Sequence, residues 1–305
     1  MQPHETNNHN KLNMYQLGRR VEPYLFLLPT IIMLVLLLLV PIIMVISYSF
    51  FNNVIINNHP MWVGLDNYKK IFSDDVFIKA SEHTAVFVLL NVIFHLIIGM
   101  TMALMVNAKS LRPVPKAAFR IIFLLPWMFN ATVIAILWKL LLNPSGVVNY
   151  ITVTFRFSDH VIAYMSEKSL ALWVLTFINI WAGYPFYMIS ILAGFQGISP
   201  ELYEVASIDG ADSIQKFSYI TIPLLKPILI SIMLLDFIWT TQTFSLIWLL
   251  TGGGPAYATE MMSTYVYRTA FQSYKYSQAS AAAVLILLVC AILAIFYVRN
   301  QRGED

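Results

Sequence analysis

Charged side chains are scarce in this chain, at 11% of 305 residues, roughly half the share found in soluble domains. A soluble body of that length could not cover its surface with so few charges, so lipid must be the solvent for much of it. Cysteine is rarer still. Cys290 stands alone in an apolar run, which excludes an internal disulfide and leaves a packed or lipid-facing thiol. The net charge of +3 is small and spread among loops, so no nucleic-acid surface is implied. Phosphate-binding signatures are missing too. Gly252, Gly253 and Gly254 are followed by Pro255, which removes a donor, and no stretch reads G-x-x-x-x-G-K-S/T. No paired carboxylates, metal-ligand spacing or nucleophile–base constellation is present, which counts against a membrane-embedded enzyme.

What the chain has is apolar length. Hydrophobic residues are 58% and aromatics 14%. Six runs are long enough to cross a bilayer, at roughly 23–50, 84–107, 118–142, 169–194, 223–250 and 278–298. Each is expected to be helical, because a span can satisfy its backbone in lipid only within itself. The expected organisation is therefore all-α and polytopic: a tail at 1–22, a six-helix membrane domain at 23–298, and a tail at 299–305. The first run is too long for a signal-peptide core and is expected to remain as the first span. Residues 51–83 read as an extended loop with one short helix near Leu65–Phe72.

Lys and Arg in short loops set the orientation. Lys109, Arg112 and Lys116 lie between the second and third spans, and Lys11, Arg19, Arg20, Arg299 and Arg302 lie in the tails. Those segments, both termini and the loop at 195–222 are expected to be cytoplasmic. That last loop is the informative one. ELYEVASIDGADSIQKFSYITIP (201–223) is polar and acidic between two oily runs, and far longer than a connection needs. Ser199 and Pro200 start a short helix, Gly210 ends it, and Asp212 or Ser213 caps a second. An amphipathic helix lying on the lipid surface is the alternative reading of its pattern.

Glu204, Ala206, Gly210, Ile220 and Pro223 stand at the spacing of the "EAA" loop of binding-protein-dependent ABC importers, which the segment closely resembles. Val205 replaces the motif's first alanine and Ile222 its usual leucine. WVGLDNYKKIF (62–72), the stretch 119–150 and LTGGGPAYATEMMSTYVYRTAF (250–271) are similar to segments of the carbohydrate-type permeases in that family. The resemblance implies a type I importer permease fold in the inner membrane. It also implies a second homologous permease, two ATPase subunits docked on the loop, and an extracytoplasmic solute-binding protein. ATP and magnesium would sit on the ATPase subunits, leaving this chain no cofactor of its own. An ion-coupled secondary transporter is the rival; it would need internal repeats and a relay of intramembrane ionisable groups.

Asp236 lies deep in the fifth run beside Trp239, Thr240, Thr241, Gln242 and Thr243. A sugar pathway wants such a mixture, and so does interhelical hydrogen bonding. The resemblance to maltose-importing members favours the pathway. It carries their sugar-contacting positions onto Asn179, Gly183 and Phe186 in the fourth run and onto Asp236, Trp239, Thr240 and Thr243 in the fifth. His95, alone in the second run, reads as a hydrogen-bonded packing residue. Lys139 reads as a snorkelling side chain.

Overall fold

Twenty-four residues without a charge, Leu25–Tyr48, form α1. With no polar face it can bury itself only in lipid or against another helix, and its side chains stay largely exposed. The computed structural model describes residues 25–108 and 113–301. The tail at 1–22, the loop cations Lys109 and Arg112, and Arg302 lie outside the described residues.

The short helix expected near Leu65–Phe72 is α2, Asp66–Phe72. Asn67 fixes it to the end of α1, donating from Nδ2 to the carbonyls of Ser49 and Phe51 at 2.8 and 2.9 Å. The second span begins earlier than hydropathy suggests: α3 runs Asp75–Asn107, so 75–83 is helix and not loop. Asp74 starts it by accepting the Val76 N–H at 2.9 Å. Its polar first turns are helical because Phe77, Ala80 and Thr84 are buried against the far end of the bundle.

The third run is not one straight span. Helix α4, Pro113–Met128, and α5, Ala131–Leu141, meet at a bend of 95°. Asn130 makes the break: its backbone is extended and its side chain caps α5 through the Val133 N–H at 2.9 Å. A short α6, Val147–Thr154, follows.

Helix α7, Ala171–Gln196, is the fourth span and packs closely along α3. Small residues permit that approach. A Cβ on Gly99 would lie 2.4 Å from the Tyr187 Cβ, and where α7 meets the fifth span one on Gly194 would lie 2.6 Å from Leu225 Cδ2. Helices α8, Pro200–Ile208, and α9, Ser213–Lys216, form the long polar loop. From Ser213 the chain stays helical to Thr241, widening to a π turn at Phe217–Thr221 before α10, Ile222–Thr241. The fifth run therefore ends at Thr241, and α11, Ser245–Leu250, is a separate piece. Helix α12, Met262–Tyr267, and the last span α13, Tyr276–Gln301, complete the chain.

Among the described residues, five helices are long and apolar enough to cross a membrane, and six if the bent pair counts as one. One core joins α3, α7 and α10 through Met100, Tyr187, Met188, Ile191 and Leu225. A second, around Phe87, Ile134, Leu175 and Ile247, closes the end of the bundle opposite the polar loop. A cavity opens beside the second core, with Ile134 and Leu246 in its lining.

Candidate functional site

The cavity has a volume of about 280 Å³. Six of the seven positions assigned to solute contact line it: Asn179, Gly183, Asp236, Trp239, Thr240 and Thr243. Phe186 is absent from the lining but stands behind it, its ring 5.2 Å from that of Trp239 and 6.1 Å from that of Trp127. The lining thus mixes polar side chains with aromatic rings, Trp239 standing on the same helix as Asp236 and Thr240. Trp127 and Phe129 join the lining from the bend between α4 and α5. They could not be placed there from sequence, because the bend was not visible in the apolar run.

Asp236 is 7% exposed and has three partners. Tyr187 donates its hydroxyl to Oδ2 at 2.9 Å, and Thr240 donates to Oδ1 at 3.0 Å. His95 Nδ1 lies 2.8 Å from Oδ2. Asp236 therefore has a basic partner from α3, 141 positions away in sequence. His95 is indeed hydrogen-bonded, with Nε2 3.1 Å from the Asn179 carbonyl. Gly183 makes room for that ring, since a Cβ there would lie 2.4 Å from His95 Cε1 and Nε2. Asn179 also donates to Asn91 Oδ1 at 2.8 Å, tying α7 to α3 on the cavity's edge.

The polar loop presents a second surface. Ser199 caps α8, and Asp212 and Gln215 cap α9 reciprocally at 2.7 and 2.8 Å. Gly210 joins the two helices at φ +83°, a conformation that other residues resist. Glu204 and Pro223 are exposed, while Ala206 and Ile220 are half-buried. Ile208, Ile214 and Tyr219 also stand out from the loop, each at least three-quarters exposed. Tyr203 and Thr221, whose hydroxyls lie 2.9 Å apart, bind the first loop helix to the root of α10.

At the opposite end, the glycine-rich connection is held by a buried charge pair. Arg268 donates to the Gly252 carbonyl at 2.6 Å and to Glu260 Oε2 at 2.9 Å, and Glu260 is fully buried. Burial pushes the Glu260 carboxyl above the ordinary glutamate value, and the Arg268 guanidinium opposes that shift without cancelling it. Beside this connection lies a larger cavity of about 370 Å³, with Lys139, Thr251 and Pro255 in its lining. Lys139 donates to the Leu249 carbonyl at 3.4 Å. Among the described residues, no cluster of three or more His, Cys, Asp or Glu side chains is placed to hold a metal ion.

This architecture has close counterparts. A probable ABC transporter permease, YurN of Bacillus subtilis, is 29% identical over 92% of this chain and 96% of its own length. The sulfoquinovosyl glycerol permease SmoG of Agrobacterium fabrum is 29% identical over 95% of this chain and 93% of its own. The maltose/maltodextrin permease MalF of Klebsiella aerogenes is 31% identical, the match spanning 83% of this chain but only 52% of MalF. In a crystal structure of a bacterial ABC transporter involved in import of the acidic polysaccharide alginate, one chain superposes with a TM-score of 0.82. That chain is 26% identical, and the match covers 95% of this chain and 99% of that one. The family model for the inner membrane component of binding-protein-dependent transport systems matches residues 95–303, two-thirds of the chain. The chain belongs to that family and is an inner-membrane permease of an ABC importer.

Proposed function

We propose that this permease carries a sugar, in the form of an oligosaccharide, through the cavity around Asp236. The observation that carries the reading is the mixed aromatic and polar lining of one cavity. Trp127 and Trp239 offer aromatic faces for C–H surfaces beside the amide, hydroxyl and carboxylate groups of Asn179, Thr240, Thr243 and Asp236. The relatives named for sulfoquinovosyl glycerol, maltodextrin and alginate support a carbohydrate-type cargo.

The same reading gives the polar loop its task. Glu204, Ala206, Gly210, Ile220 and Pro223 dock an ATPase subunit, and the exposed Ile208, Ile214 and Tyr219 supply apolar contact area. A second permease completes the cavity, two ATPase subunits bind ATP and magnesium, and an extracytoplasmic binding protein delivers the solute. One related crystal structure holds an alginate transporter with a periplasmic protein bound to an alginate pentasaccharide, which supports such an assembly. Closing and opening of the ATPase pair moves the loop, and the helices alternate access to the cavity. Both termini face the cytoplasm in this scheme.

The test is the assembled complex in liposomes with its binding protein. Sugars that stimulate ATP hydrolysis and accumulate in the transport direction support the reading. Failure of every mono- and oligosaccharide, with stimulation by another solute class, overturns the cargo.

A further inference from the structure

The two nitrogens of His95 both face acceptors, and this fixes a proton count. The Asn179 carbonyl, 3.1 Å from Nε2, can only accept, so Nε2 carries a proton. The Nδ1–Oδ2 contact at 2.8 Å requires another, whether it resides on the ring or on the carboxyl. A neutral ring facing a carboxylate without that second proton would set two lone pairs against each other, in a place where His95 is 1% and Asp236 7% exposed. Two protons shared by an imidazole and a carboxylate leave no net charge.

We propose that His95 and Asp236 form a charge-balanced pair, which makes this wall of the cavity a neutral hydrogen-bonding surface. The proposal deepens the solute-path reading and names His95 as a positioning residue. Asp236 Oδ2 is filled by His95 and Tyr187. Among the described residues Oδ1 receives only Thr240, and a carboxylate oxygen has two acceptor sites. One acceptor position remains for a solute hydroxyl. This is narrower than a free carboxylate, which could hold several hydroxyls at once.

The consequence for selectivity is direct. A lone carboxylate in a low-dielectric cavity repels anions, holds cations and is costly to maintain. The balanced pair avoids all three effects. It lets the site recognise the pattern of hydroxyls on a sugar independently of the sugar's net charge. Gly183 belongs to the same device, because its missing side chain is where the imidazole sits.

The experiment compares H95Q, D236N and the double variant in the assembled transporter, measuring uptake and the melting temperature of the purified complex. In D236N, a neutral His95 can accept from the new amide and still serve Asn179. H95Q leaves the carboxylate without its balance. We expect H95Q to lower uptake by more than about tenfold and D236N by less, since H95Q leaves a buried charge uncompensated whereas D236N leaves none. Adding D236N to H95Q should restore uptake to within about threefold of D236N alone, because two neutral amides can bond each other. Melting temperatures should follow the same order. If H95Q does not assemble, assembly of the double variant is itself the rescue.

A double variant no better than H95Q in both measurements overturns the pair. Rescue in melting temperature with normal uptake by every variant upholds the pair and overturns the solute path instead.

Discussion

Arg268 reaches past Gly253 to hold both oxygens of Glu260, at 3.3 and 2.9 Å, on a carboxylate that has no exposure at all. Gly253 has to be glycine: its φ is +85°, and a Cβ would lie 2.0 Å from Glu260 Oε2. The pair pins the segment between α11 and α12. Arg268→Met strands a buried carboxylate and should destabilise the complex by about 3–5 kcal/mol. Thermal unfolding of the purified complex reads this, and an unchanged melting temperature refutes it.

The same carboxylate gives a pH dependence with a definite sign. Its folded value lies above the ordinary 4.5, chiefly through burial. Its stabilising contribution is complete below that ordinary value and declines as pH rises through the folded one. Glu260→Gln removes this titration. The difference in melting temperature between wild type and E260Q should therefore shift against the wild type as pH rises from 4.5. A shift in the opposite direction would mean that the guanidinium outweighs burial.

For the loop, coupling should fail while folding survives. Nothing lies within 4 Å of the Cβ position at Gly210, so Gly210→Glu meets backbone strain and no clash. Glu204 is exposed, so Glu204→Lys disturbs no core. Both variants should insert normally, lose co-purification with the ATPase and abolish uptake. Uptake at the wild-type rate with normal expression would sink the coupling assignment.

Orientation has its own test. Asp75 and Ser273 are exposed at the same end of the bundle, where Tyr265 donates to Asp74 at 2.8 Å. In a Cys290→Ser background, cysteines at 75 and 273 should react with an impermeant reagent from outside, and one at Ser110 should not. Labelling of position 110 in intact cells reverses the topology.

How much of this was legible beforehand depends on the range of each signal. The loop helices could be read because Ser199, Gly210 and Asp212 act within a few residues of themselves. The apolar runs marked the spans for the same reason. The start of α3 was missed because its first turns are polar and become helical through contacts with Tyr265 and α13, nearly two hundred residues later. The bend at Asn130 was hidden by an apolar run that continues through it. Asp236 could be picked out as an anomaly, but its partner could not. His95 is 141 positions away, and only the packing of α3 on α7 and α10 brings the two together.

Asp236 also separates the energy sources. Asp236→Asn keeps one acceptor and adds donors, so it should retain part of the uptake. Asp236→Leu leaves His95, Tyr187 and Thr240 without their acceptor, each stranded group costing about 1–3 kcal/mol. Leu should therefore be far worse than Asn. A proton relay would behave differently, because Asn carries protons no better than Leu and both would be dead. The measurement is uptake by the two variants with and without an uncoupler, at clamped ATP. ATP-driven transport keeps the wild type active in uncoupler and ranks Asn above Leu. If uptake collapses with the proton gradient and the two variants are equally inactive, the pair moves protons and the solute path lies elsewhere.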